Sequence, residues 1–205
     1  MGAPYEFLAK GRYTPTKEYN TGGVHNVSIG EWTDDTSMAL CLAQSLIERK
    51  CFDPIDQMEK YLNWYTGGYM GTRETCFDIG NSTVKSIIDF ELNRNIFSKV
   101  TRNDESGNGT IMRLAPIPMF FTDYIMLLEF AKKSSLTTHK SPEAYKCAIL
   151  LAEIIRNCYL ETDKIKILEN TKYLKEVLGY DLSELYVGEE GFYPTIPTGY
   201  CIDTL

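Results

Sequence analysis

Thr33-Asp34-Asp35-Thr36-Ser37-Met38-Ala39-Leu40-Cys41-Leu42-Ala43-Gln44-Ser45-Leu46-Ile47-Glu48-Arg49-Lys50 is the stretch whose periodicity decides the fold. Ala39, Leu42, Ala43 and Leu46 recur at i, i+3, i+4 and i+7, the spacing of one helix face. Met38, Leu40, Cys41 and Ile47 broaden that face, as in a helix buried on several sides. Thr33 stands at the N-cap position. Asp34 and Asp35 fall in the first turn, where carboxylates meet the positive end of the helix dipole.

The same period continues outward. Asp53-Pro54 is an N-cap followed by proline at the first helical position, and it predicts a helix with Ile55, Met58, Leu62 and Tyr65 inward, ended by Gly67-Gly68. A third helix follows Asn81 or Ser82, with Val84, Ile87, Ile88 and Leu92 inward. Ser141-Pro142 opens another through Ala148, Ile149, Ala152 and Ile155, and a last one covers Lys164 to Leu178 and stops at Gly179. Pro116 and Pro118 divide the helical pattern between Ile111 and Lys133 into two pieces or kink it. No stretch of six alternates as a strand, and Tyr193 to Leu205 reads as irregular. The expected fold is all-α, one compact multi-helix domain over residues 1–205.

With 205 residues, 43% hydrophobic and 24% charged, the chain has the composition of a globular domain with a sizeable core. Its 21 Lys and Arg against 28 Asp and Glu leave a net charge of −7. The densest basic stretches are Lys132-Lys133 and Lys164 to Lys175, the latter diluted by Glu169 and flanked by Glu176, so no nucleic-acid partner is expected. No window reaches the length of a membrane span, and Met1 to Phe7 lacks the basic and apolar regions of a secretory signal. The six cysteines form no CxxC; Cys41, Cys147 and Cys158 fall inside helical patterns as small buried groups, which places the protein in an intracellular, cytoplasmic setting.

Gly30-Glu31-Trp32-Thr33-Asp34-Asp35-Thr36 is the sharpest chemical motif. Successive side chains turn by about 100° around a helix, so a hydroxyl and two carboxylates can address two neighbouring points. Hard cations such as Mg²⁺ and Mn²⁺ take such oxygen ligands, while ordinary capping and dipole stabilisation explains the same spacing. Gly107-Asn108-Gly109-Thr110 leads into Ile111-Met112-Arg113, a glycine loop at a helix start that can present N–H groups to an anion, with Arg113 as a charged fork; a plain turn fits equally. Thr75 to Thr83 has the same design. His139 lies in an interhelix loop among hydroxyls, placed either to touch a phosphate or to bond locally, and His25 has no motif around it. GxSxG, HExxH and Walker loops are absent.

Taken together, Met1 to Phe7, Gly30 to Thr36, Cys76 to Thr83, Gly107 to Pro116 and Ser134 to His139 resemble, in order and spacing, the ADP-ribosylglycohydrolase family, the all-α fold shared with dinitrogenase reductase-activating glycohydrolase. The resemblance implies hydrolysis of the glycosidic bond between ADP-ribose and an acceptor, on an ADP-ribosylated protein or small molecule. It implies two Mg²⁺ or Mn²⁺ ions bound with the help of Thr33, Asp34 and Asp35. Glu6 is then catalytic with Asp34 and Asp35, or gates the site. Asp78, Ile79, Gly80 and Thr83 hold the diphosphate, Gly107, Asn108 and Gly109 line the distal ADP-ribose pocket, and His139 closes over it. Carboxylates suit this chemistry because the breaking glycosyl bond develops oxocarbenium character.

Two departures from the family pattern shape the expectation. Relatives carry a helix ending in Gly-Asp-x-x-Gly before the residues matching Ala3-Pro4, and a second Asp-x-Asp-Thr or Asp-x-Asp-Ser cluster beyond the segment resembling Thr198 to Leu205. Asp203-Thr204 has Cys201, not aspartate, two residues earlier. The chain is therefore expected to be incomplete at both ends, with half a metal site and apolar faces that favour self-association. The alternative functions are a catalytically impaired ADP-ribose-binding module and a non-functional remnant.

Overall fold

The computed structural model describes residues 2–8, 12–14, 16–99, 101, 106–172 and 201. Seven α-helices lie among them: α1 Asp34–Arg49, α2 Pro54–Gly67, α3 Asn81–Asn93, α4 Pro116–Phe120, α5 Tyr124–Leu136, α6 Pro142–Leu160 and α7 Lys164–Glu169. Among the described residues an isolated antiparallel bridge joins Gly22 and Val27. No helix there is long and apolar enough to cross a membrane.

Local chemistry explains the helix ends. Asp53 accepts the Ile55 and Asp56 N–H groups, Ser141 accepts that of Ala144, and Asp163 accepts those of Ile165 and Lys166. Gly68 ends α2 at φ +68°, and a Cβ there would collide with the Arg73 carbonyl oxygen. The chain between Ile111 and Lys133 does form two helices, but they part at residues 121–123, where Asp123 caps α5, while Pro116 and Pro118 lie in the first turn of α4. The run Ile111 to Arg113 is a turn, and the helix waits for Pro116. α7 ends at Glu169, and the expected continuation from residue 173 lies outside the described residues, as does the tail apart from Cys201.

α1 is the spine. Leu42 and Leu46 enter one core with Leu114, Ile117, Leu127, Ala148 and Cys201, while Met38 and Cys41 enter a second with Met58, Tyr61, Trp64, Ile87 and Phe90. One flank thus packs toward α4, α5 and α6 and the other toward α2 and α3, which is why the apolar stripe of α1 is so broad. Each fully buried leucine or methionine contributes about 1.5–3 kcal/mol.

The burial pattern corrects several inward faces. Leu40 and Ile47 of α1, Ile55 of α2, and Ile88 and Leu92 of α3 are exposed. Tyr61, Trp64 and Phe90 occupy the core in their place, because aromatic side chains bury more area than the aliphatic neighbours one turn away. Ile155 is half-buried. None of the six cysteines is in a disulfide, and Cys158 is exposed near the end of α6, unlike Cys41 and Cys147.

Candidate functional site

Three separate stretches bring four carboxylates together: Glu6 from the N-terminal turn, Asp34 and Asp35 from the first turn of α1, and Asp78 from the loop before α3. Thr33 occupies the N-cap position of α1, yet its hydroxyl accepts no capping N–H. Asp34 is only 8% exposed. Its carboxyl is pushed up to about 8, first by burial and then by Asp35, Asp78 and Glu6; the Asp35 N–H, donating to Oδ1 at 3.0 Å, opposes the shift. Asp35 reaches the surface but is raised as well, by desolvation and by Asp78. Glu6 is raised by burial, by repulsion from Asp78 and by a hydrogen bond shared with it, while His25 pulls the other way. The Cys76 thiol nearby is pushed up to about 12 by burial and the same aspartates, so it is no nucleophile at neutral pH.

The loops that carry these groups are tied down. Asp78 sits at φ +53°, a left-handed conformation that aspartate tolerates better than most residues. Gly23, at φ +74°, lets its turn approach Pro4 so closely that a Cβ would lie 2.7 Å from the Pro4 Cα. That contact sets the Glu6 turn against the His25 turn. Arg73 forks onto Glu31, with both N–H···O distances 2.9 Å, and holds its carboxyl down to about 2. The same guanidinium donates to the His25 and Asn26 carbonyls and lies 4.0 Å over the Phe77 ring. Trp32 Nε1 donates to the Met70 carbonyl, and Thr72 donates to that of Trp32, which fixes the approach to Thr33.

The expected ligand-binding segments also meet. A Cβ on Gly109 would stand 2.9 Å from His139 Cε1 and 3.4 Å from Thr83 Oγ1, so Gly109, Thr83 and His139 touch in the fold. Gly107 has φ −66° and Gly109 lies outside the left-handed region, so these glycines serve close approach rather than positive φ. Asn108 to Thr110 form one 3₁₀ turn. Gly80 is the N-cap of α3 and Asn81 to Thr83 its first turn; Gly80 brings no side-chain cap, and Ile79 packs onto the second core. Asp78 belongs with the carboxylates and Thr83 with Gly109, so five residues of chain link the two halves of the site.

Two expected contacts take a different form. Arg113 is fully buried. It donates to the carbonyls of Gly109 (2.8 Å) and Ser134 (3.1 Å) and to Thr138 Oγ1 (2.7 Å), with Tyr61 beneath it. It therefore ties the glycine loop to the loop after α5 and is no free fork for an anion. His139 is 3% exposed, with Nδ1 2.9 Å from Thr138 Oγ1. Burial, and then Arg113, push its pKa down to about 3, so it stays uncharged and shapes the wall.

His25 is the residue that sequence reasoning missed. Its Nε2 lies 3.2 Å from Asp78 Oδ1 and 3.8 Å from Glu6 Oε2, and its ring is flanked by Phe7 and Phe77. Gly22-Gly23 just ahead of it was the available signal, since paired glycines mark a tight turn that brings neighbours close.

A helical scaffold of this order, with paired aspartates in the first turn of α1 and a glycine turn ahead of α4, defines a class, and the match to a known family is direct. The ADP-ribosylglycohydrolase family model matches residues 1–193, and the chain belongs to that family. Over 155 residues it is 36% identical to ADP-ribosylarginine hydrolase Tri1 of Pseudomonas putida, covering 74% of this chain and 41% of that protein. It is 30% identical over 165 residues to the human ADP-ribosylhydrolase ARH3, covering 78% and 43%. A solved ADP-ribosylglycohydrolase-related protein complex superposes with a TM-score of 0.78 at 32% identity, over 99% of this chain and 66% of that one. The chain thus spans about two fifths of the length of these two hydrolases.

Proposed function

We propose that the protein hydrolyses the glycosidic bond between ADP-ribose and its acceptor, with the aid of Mg²⁺ or Mn²⁺. The convergence of Glu6, Asp34, Asp35 and Asp78 carries this reading. Burying like charges together raises the pKa of Glu6, Asp34 and Asp35, and a divalent cation reverses that cost by favouring the ionised forms. The hydroxyl of Thr33 and the carboxylates of Asp34 and Asp35 are hard oxygen donors suited to either ion. When bound, such a cation lowers the pKa of water and can hold ribose hydroxyls.

The chain's own residues supply the rest. The carboxylates stabilise positive charge developing at C1″ as its bond to the acceptor breaks. Glu6, whose raised pKa suits proton exchange, takes a proton from the attacking water, and a proton goes to the departing acceptor. The first-turn N–H groups of α3, with Gly80 and Thr83, receive the diphosphate, while Gly107, Asn108 and Gly109 with His139 form the distal wall.

The test is release of free ADP-ribose from arginine- and serine-linked substrates with Mg²⁺, Mn²⁺ or chelator. The likeness to two ADP-ribosylarginine hydrolases makes the arginine-linked substrate the first to try. Metal-dependent release abolished by Asp34→Ala is expected; equal release by wild type and variant refutes the reading. A binding module without turnover is the second reading. The contact of Gly109 with Thr83 and His139 favours it, because that wall does not depend on the carboxylates. Metal-independent ADP-ribose binding without release would establish it. We also propose self-association through Met119, Phe120, Tyr159 and Leu160, exposed apolar residues on α4 and the end of α6. A monomer mass by sedimentation refutes that.

A further inference from the structure

We infer that Glu6, His25 and Asp78 form a mixed nitrogen–oxygen cation site that prefers transition-metal cations such as Mn²⁺ over Mg²⁺. The inference rests on the metal-assisted reading above and adds a ligand to it. One donor atom from each of the three residues lies within 4.8 Å of the others. The imidazole is what distinguishes this group from a patch of acids. His25 Nε2 is shut off from solvent and has no aligned hydrogen bond, although Asp78 Oδ1 is only 3.2 Å away. A buried ring nitrogen within ion-pair reach of two carboxylates, yet aligned with neither, is stabilised when a proton or a cation joins them.

The position is built. Arg73 pins the His25 carbonyl, Phe77 and Phe7 confine the ring, and the Gly23–Pro4 contact fixes its turn against that of Glu6. Carboxylate oxygens alone suit Mg²⁺, Ca²⁺ and Mn²⁺, whereas imidazole nitrogen favours the later first-row ions and is a poor ligand for Mg²⁺. His25 therefore decides which divalent ion the cluster keeps.

The experiment is pulsed electron paramagnetic resonance of Mn²⁺ bound to the full chain, with Mg²⁺ competition read from the free-Mn²⁺ signal. The expected result is nitrogen coupling to bound Mn²⁺ that converts from ¹⁴N to ¹⁵N when the protein carries ¹⁵N-histidine. The chain has two histidines and His139 is 3% exposed, so the coupling reports His25. His25→Ala should abolish the coupling, weaken Mn²⁺ binding at least about 10-fold and shrink the preference over Mg²⁺ by a similar factor. Bound Mn²⁺ without nitrogen coupling in the wild type overturns the inference and leaves the hydrolase reading standing. Absence of Mn²⁺ binding overturns this inference and the metal-assisted reading together. The wild-type spectrum decides even if His25→Ala fails to fold.

Discussion

Replacing Asp34 by asparagine should make the metal-free protein more stable. The carboxyl rises from its ordinary 3.8 to about 8 in the fold. Between those values the folded state holds a proton that the unfolded chain has released, so the wild type loses stability as pH rises from about 4 to about 8. Asparagine keeps the shape and escapes that loss. For a group titrating alone, the advantage grows by about 1.4 kcal/mol per pH unit, to a ceiling of about 6 kcal/mol at pH 8. Asp34 titrates in company with Asp35 and Glu6, which are raised as well, so about 2–3 kcal/mol is the working expectation. For a chain of this length that is about 4–12 °C in Tm. Thermal melts of Asp34→Asn and wild type in chelator, from pH 4 to pH 8, measure it. Saturating Mn²⁺ should narrow or invert the order, since a cation at 100 times its Kd stabilises the protein that binds it by about 2.7 kcal/mol. A variant less stable than wild type at pH 8 in chelator, or a difference that stays flat with pH, refutes the reasoning.

Gly109→Ala puts a methyl group 2.9 Å from His139 Cε1 and should weaken ADP-ribose binding at least about 10-fold by calorimetry, with the helical circular dichroism unchanged. Arg113→Met removes the donor to the Gly109 carbonyl and to Thr138 Oγ1, leaving the Ser134 carbonyl with Thr137 alone, and should cost about 3 kcal/mol in urea denaturation. His139, held near 3 against an ordinary 6.5, binds its proton more readily when unfolded, so stability should fall as pH drops below about 6.5. That slope should flatten in His139→Gln, and an unchanged slope would show that another group carries it.

Much of the helical order was legible because caps are short-range. Asp53-Pro54, Ser141-Pro142 and Gly68 each act on backbone within a few residues, and each ends or starts a helix where its chemistry requires. Faces were harder. Ile55, Ile88 and Leu92 satisfy a helical period as well as their buried neighbours do, and only the tertiary position of α1, with a core on either flank, selects Tyr61, Trp64 and Phe90. In the site, Thr33, Asp34 and Asp35 stood out because adjacent carboxylates at a helix start are visible in the sequence itself. His25 did not, since its meaning comes from Asp78, 53 residues later, and from a glycine contact with Pro4. Arg113 looked like an anion fork because position beside a glycine loop says nothing about burial.

The Arg73 clasp has a mechanical consequence. By gripping Glu31, the carbonyls of His25 and Asn26, and the face of Phe77, one guanidinium welds the His25 turn to the segment bearing Asp78. Those two side chains keep their separation whatever the neighbouring chain does. The Pro4–Phe7 turn abuts this unit at Gly23 with no room for even a methyl group, so Glu6 rides on the same frame. Strain applied at any one of the three stretches is then shared by all of them, and the carboxylates shift together or not at all.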